Sequence, residues 1–156
     1  MNTQTMNAKD AVSAKLATVY WIQGSSRKKL MQAKNLKASA EKKKVKVAIL
    51  GRQSEGNKSV GLSYSGSLTI YQNTDLFTDM ILELQKTGVD QYFDLLIVND
   101  DPTSEAGERI VTLRDCNIDN ADIALFDADG EFNEQELNFT FESFDINQKF
   151  KELTGM

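Results

Sequence analysis

Nineteen of the 23 acidic residues of this chain fall in residues 79–156, in pairs such as Asp100/Asp101 and Glu134/Glu136. Paired carboxyl groups are what an acid/base hydrolase uses, provided they sit about 5 to 10 Å apart and one has a raised pKa. Spacing along a chain does not supply that separation, and a solvated acidic face accounts for the same residues. There is no histidine and one cysteine, Cys116, which excludes zinc sites and histidine-based acid/base catalysis. Cys116 reads as a small buried hydrophobe, with a free reactive thiol as the alternative. The segment Gly51-Arg-Gln-Ser-Glu-Gly56-Asn57-Lys58-Ser59 is one residue away from a phosphate-binding loop. The inserted Asn57 moves Lys58 and Ser59 out of register, and a strand follows where such a loop needs a helix, so it reads as an ordinary loop. Asp127-Ala-Asp129-Gly130 resembles the start of a calcium loop, but its glycine stands at position four instead of six, and a turn is the better reading.

Composition narrows the class further. A chain of 156 residues fits one domain, long enough to bury about 68 to 70% of its unfolded surface. A single cysteine forms no intramolecular disulfide, and a reducing compartment is the simplest setting. The N-terminal stretch has no apolar run of signal-peptide length, and nothing approaches the roughly 20 apolar residues of a membrane span, so no stable membrane association is expected. The Asn57 and Asn138 sequons are then matters of chance. A net charge of −5 argues against DNA binding as the main task. That charge is unevenly spread: residues 1–78 hold 13 Lys/Arg against 4 Asp/Glu, whereas residues 79–156 hold 5 against 19. Either the subunit has two unlike faces that meet head to tail, or the halves intermix on folding.

The clearest element is a strand over residues 60–71, where Leu62, Tyr64, Leu68 and Ile70 alternate with Ser63, Ser65, Ser67 and Thr69. Gly66 lies on its apolar row, where a missing side chain marks a bend or a close backbone approach. Residues 17–22 and 27–33 form a hairpin about the turn Gln23-Gly-Ser-Ser26. Residues 36–50 are extended, although Lys42, Lys43, Lys44 and Lys46 break the alternation. Lysines on an edge strand block unwanted pairing, and contact with phosphate is the other reading. Residues 51–59 are a loop. A helix starts after Thr74 as N-cap, carries Leu76, Phe77, Met80, Ile81 and Leu84 at helical spacing, and stops at Gly88. Strands follow over residues 92–98, 108–116, 120–126 and 136–144, with Trp21, Phe139, Phe141 and Phe144 as core candidates. Residues 147–156 are a short helix or frayed. The fold class is mainly β with one α-helix, an antiparallel β-sandwich or barrel.

The chain resembles the tail tube (tail core) protein of contractile-tailed phages, in the group found in defective prophages and phage-tail-like bacteriocins. The residues that carry the likeness are Ile49-Leu-Gly-Arg52, Asn57-Lys-Ser-Val-Gly61, Gly66-Ser-Leu-Thr-Ile-Tyr71 and Lys86-Thr-Gly88 before Tyr92-Phe93. Glu108-Arg-Ile-Val-Thr-Leu113 and Phe139-Thr-Phe-Glu-Ser-Phe-Asp145 continue it. The resemblance covers about residues 15–145. It implies an N-terminal extension over 1–14, a tail-tube β-barrel domain over 15–146 and a C-terminal tail over 147–156. It also implies homohexameric rings stacked into a tube, strands of neighbours joined into one barrel around a channel, and a contractile sheath outside. The implied partners are further copies of the chain, the sheath protein, baseplate and tail terminator proteins, and DNA passing without specific binding. Assembly would take place in the host cytoplasm, and the product would be part of a virion or tail-like particle. No catalytic residue, cofactor or metal is carried over.

An acidic channel would let DNA slide where a ring of lysines would trap it, and Asp115, Asp119, Asp122 and Glu142 are the candidates for its wall. The basic, glycine-containing stretch 46–61 is too polar for a core and suited to the acidic surface of an adjacent ring, with Lys46, Gly51, Arg52, Glu55, Lys58 and Gly61 as candidate contacts. The alternatives are a ring-forming tube component of a secretion-type injection machine and a monomeric β-sandwich binding module.

Overall fold

The alternation over residues 60–71 becomes the spine of the molecule in the computed structural model, which describes residues 5–156. The strands are β1 (Ala17–Gln23), β2 (Ser26–Lys29), β3 (Ala33–Val47), β4 (Gly56–Tyr71), β5 (Phe93–Asp100), β6 (Glu108–Ile118), β7 (Glu134–Thr140) and β8 (Ser143–Gln148), and the helix is α1 (Leu76–Thr87). All pairings are antiparallel, in the order β2-β1-β5-β6-β7-β4-β3, with β8 also on β6.

Strand β6 serves two sheets. Residues 110–114 pair with β8 and the strand's length with β5, whereas Asn117 and Ile118 pair with β7. The switch lies at a bulge: Phe93 faces Cys116 and Leu95 faces Leu113, so β6 carries one extra residue there. Asp115 takes φ +54° at this point and its N–H donates to Asp94 Oδ1 at 3.0 Å. Because of the extra residue Leu113 and Cys116, three apart, both point inward and are buried. Arg114, beside them, closes the corner with ion pairs to Asp145 (2.6 Å) and Asp94 (3.7 Å). Two layers result, β2-β1-β5-β6-β8 and β6-β7-β4-β3.

Between the layers Trp21, Leu68, Ile70, Phe93, Leu95, Leu137 and Phe139 are buried, and Phe77 and Met80 of α1 plug one side. Phe93 meets Trp21 at 6.1 Å and Phe77 at 5.9 Å between ring centroids, spacings at which aromatic pairs attract beyond their buried area. Helix α1 ends as expected, with Gly88 at φ +74° donating to Leu84 O. At its start Asp75, not Thr74, occupies the capping position, and the Thr74 hydroxyl accepts from Leu76 N–H at 3.3 Å.

Several expected boundaries differ. Residues 120–126 are irregular, Gly56–Ser59 belong to β4 because β3 supplies their partner, and the expected strand 136–144 breaks after Thr140 so that β8 joins the other sheet. Phe144, expected in the core, is 42% exposed at the start of β8. The last residues form no helix; Lys151 N–H donates to Ala106 O at 2.8 Å and the Thr154 hydroxyl meets Glu105. Near the other end, Ser104 donates to Asp10 O, Glu105 N–H to Asp10 Oδ1, and Ser13 N–H to Asp101 Oδ2, so both ends dock on the 101–107 loop.

Gly66 is where β4 approaches its neighbours most closely. A Cβ there would lie 2.5 Å from Phe139 Cζ and 2.7 Å from Lys37 O, the second a backbone atom that cannot swing aside. Gly66→Ala should cost about 1–3 kcal/mol, as overpacking does, and a wild-type melting curve for the unassembled variant would contradict this packing. Asp101 accepts from the Thr103 hydroxyl, Ser13 N–H and Thr103 N–H, and these bonds, that of the Thr103 hydroxyl foremost, hold its carboxyl below the usual carboxylate range. A depressed pKa contributes stability above the unfolded-state value that is lost as pH falls through the folded-state value. Wild type should therefore exceed Asp101→Asn in stability at neutral pH, with the gap closing below the usual carboxylate range; a gap that persists undiminished in acid would refute the assignment.

Candidate functional site

The β3–β4 hairpin runs far beyond the body of the protein. The two strands pair from Ala33↔Ile70 to Val47↔Gly56, yet β7 covers β4 only over Ser65–Tyr71. Residues 56–64 thus overhang with β3 as their one strand partner among the described residues, a projection of about 30 Å at roughly 3.3 Å per residue. All six expected contact residues lie on this overhang. Lys46 and Lys58 are in the paired stem; Gly61 faces Lys43 beside the bulge at Val60; Gly51 adopts φ +82° in the tip, where Arg52 N–H donates to Ile49 O and its guanidinium to Ser54 Oγ; and Glu55 is exposed next to them.

Sequence reading missed the apolar half of this surface. Leu50 at the tip is fully exposed (103%) and Leu62 is 58% exposed, with Val45, Val47, Ile49 and Val60 also open to solvent. Leu62 continues the apolar row of Tyr64, Leu68 and Ile70 past the point where the core ends. The signal was present in the alternation, but the place where the core stops is a tertiary fact.

The outer edge of β3 has no strand beside it among the described residues. Facing it across a cleft of about 1150 Å3 are Ala14–Val19 and the ends of β6 and β8, with Leu16, Leu30, Leu36, Val111, Phe141 and Phe144 among the lining. No Asp or Glu lines this cleft, so it offers a hydrolase no carboxylate pair. The Cys116 thiol is buried and burial pushes its pKa up to about 12, which leaves it protonated and unreactive. Asp127–Gly130 is a turn, closed by Gly130 N–H to Asp127 O and Asp129 N–H to Asp127 Oδ1.

The four acidic candidates fall into two groups. Asp115 and Glu142 share the Arg114 corner, where Glu142 N–H donates to Arg114 O, and both are exposed. Asp119 and Asp122 follow β6 along the outer edge of β7: Asp119 N–H donates to Asn138 O at 2.7 Å, and Asp122 N–H to Gln135 Oε1 at 3.1 Å. Between them Asn120 behaves as a stand-in strand, accepting from Asn138 N–H and donating to Glu136 O through its side-chain amide. Asp119 adjoins the polar face of the second sheet, with Lys37, Ser39, Ser65, Ser67 and Asn138 around a shallow depression.

Comparison with known proteins places this β-structure in a family. The sequence profile of the family described as "Phage tail tube protein" matches residues 4–147. The Phage-like element PBSX protein XkdM of Bacillus subtilis (strain 168) is 41% identical over 119 residues, covering 76% of this chain and 81% of that protein. The uncharacterised protein YqbM of the same organism is 42% identical over 118 residues, 76% of this chain and 80% of that protein. Among solved structures, a chain from the sheath–tube complex of an extracellular contractile injection system in its extended state superposes with a TM-score of 0.68 at 11% identity, covering 91% of this chain and 94% of that one. A chain from the virion of a native gene transfer agent particle superposes with a TM-score of 0.55 at 16% identity, covering 92% of this chain and 100% of that one. The chain belongs to the phage tail tube protein family, as a structural subunit of the tail tube and not an enzyme.

Proposed function

We propose that the subunit forms homohexameric rings that stack into a hollow tube within a contractile sheath, with baseplate and terminator proteins at its ends. Rings would assemble in the host cytoplasm before incorporation into the particle. The observation that carries this reading is the β3–β4 hairpin, whose overhang and open β3 edge leave strand hydrogen bonds and apolar side chains that only another molecule can cover. Strands of adjacent subunits continue the β3-containing sheet around the bore. Its polar face, with Ser63, Ser65, Ser67 and Thr69 on β4 and Glu136, Asn138 and Thr140 on β7, turns toward the channel. Hydroxyls and carboxylates on that wall give passing DNA no cationic ladder to bind, and Asp115, Asp119, Asp122 and Glu142 add to its negative potential. A tube component of an injection machine is the second reading, favoured by the fold likeness to the contractile injection system chain.

Negative-stain images of the purified protein at high concentration are expected to contain six-fold rings or tubes; particles that remain monomeric at every concentration, with or without a baseplate nucleus, would sink the proposal. Deleting Arg52–Lys58 should leave a folded subunit that no longer polymerises, and normal tubes from that variant would count against the hairpin. Neutralising Asp115, Asp119, Asp122 and Glu142 together should slow DNA ejection from particles that package it. Unchanged ejection kinetics would remove these residues from the channel wall.

A further inference from the structure

A second surface lies at the opposite end of β4 from the hairpin tip. The segment 119–133 holds five acidic residues and no basic one, and exposes Phe126 (87%), Ile123 (73%) and Phe132 (72%). Three apolar side chains this open, set among carboxylates, mark an interaction surface. The segment is preformed. Gln72 Nε2 donates to Asp122 O, Gln135 Oε1 accepts from Asp122 N–H, Phe132 packs edge-on against Tyr71 at 6.2 Å, and Asp127–Gly130 closes a turn.

Its position follows from strand register. Tyr71 pairs with Glu134, and Gln72 N–H donates to Asn133 O at 2.8 Å, so the later part of the acidic segment sits at the C-terminal end of β4, while Asp119 lies further back beside Asn138. The hairpin tip sits beyond the N-terminal end, at Gly56. Sixteen residues of strand separate the two, about 50 Å at roughly 3.3 Å each. The tip therefore does not reach the segment of its own chain. Residues 42–58, for their part, hold six Lys/Arg against one acidic residue and carry the exposed Ile49 and Leu50.

We infer that the acidic 119–133 segment is the receptor for the hairpin tip of a second copy of this chain, Leu50 seating near Phe126 and Ile123 while the lysines of the stem face Asp127, Asp129 and Glu131. The inference rests on the stacked-ring reading and names the surface that the next ring grips. Charge and apolar complementarity between two ends of one subunit give a heterologous contact, which repeats along an axis without closing. The opposite charges also steer the encounter, so growth should weaken as salt rises.

The test uses the full-length chain under conditions where wild type forms sedimentable tubes. Reversing the receptor (Asp127→Lys, Asp129→Lys, Glu131→Lys) or the stem (Lys43→Glu, Lys44→Glu, Lys46→Glu) should each lower the pelleted fraction at least tenfold while circular dichroism stays that of the folded subunit. Combining both reversals in one chain, or mixing the two variants, should restore tubes. Wild-type pelleting by the receptor variant overturns the inference and would assign the segment to a sheath or baseplate partner; so does failure of both the combined chain and the mixture to recover. A second variant leaves the charges alone: Leu50→Cys with Phe126→Cys in the otherwise native chain, whose Cys116 is buried, should give a ladder of covalent multimers when tubes are treated with a short bis-maleimide. Absence of that ladder from intact tubes overturns it equally. If wild type itself makes no tubes, it is the stacked-ring reading that has failed, an outcome separate from those above.

Discussion

A β-ladder with one side unpaired is the constraint on which the rest of this structure depends. Peptide groups in a strand demand partners, and among the described residues β3 offers a long run of them on its outer side with no strand there, while residues 56–64 of β4 lie beyond the reach of β7. An edge of that length on an isolated globular protein is a hazard that is normally shortened, twisted away or covered. Here it is retained and bordered by lysines, which disfavour indiscriminate pairing without filling the edge.

The body exists to hold that hairpin at a fixed angle. The bulge at Asp115 lets β6 belong to both sheets, the Arg114 ion pairs lock the corner, and Gly66 lets Phe139 and the β3 backbone come close against β4. Those ion pairs are exposed, so their individual energies are small; their role is geometric, since they sit where β6 leaves β8 for β7. The core behind them is anchored by Leu68, Ile70, Phe77 and Phe139 and sets where the buried part of β4 ends and the overhang begins.

Most of the architecture was legible in the chain because local and tertiary signals agreed. The apolar row of β4, the helix with its glycine stop and the turn at Asp127–Gly130 were all readable from period and turn chemistry. The failures share one cause. Residues 120–126 looked like a strand because Ile123 and Phe126 suit one, but the Asp122 backbone is held by the side chains of Gln72 and Gln135, and Ile123 and Phe126 point to solvent. Residues 56–59 looked like a loop because nothing in their composition announces the strand opposite, and β7 and β8 merged because an apolar run does not say which sheet it joins. The six residues named from the sequence lie together on the hairpin, whereas the exposed Leu50 and Phe126 were passed over. Periodicity identifies a side chain that wants burial but not the molecule that buries it.

The asparagine that stands in for a strand has a consequence for symmetry. With Asn120 and Asp119 occupying the outer edge of β7, the longest open edge of the second sheet among the described residues is that of β3. Two copies could satisfy each other by laying β3 against β3 about a two-fold axis, the commonest way for identical proteins to pair. That arrangement would set Lys34, Lys37, Lys42, Lys43, Lys44 and Lys46 of one chain alongside the same residues of the other, with Glu41 the lone acidic residue on the strand to offset them. Dead-end dimers are thereby disfavoured, which would leave the edge free for the proposed ring.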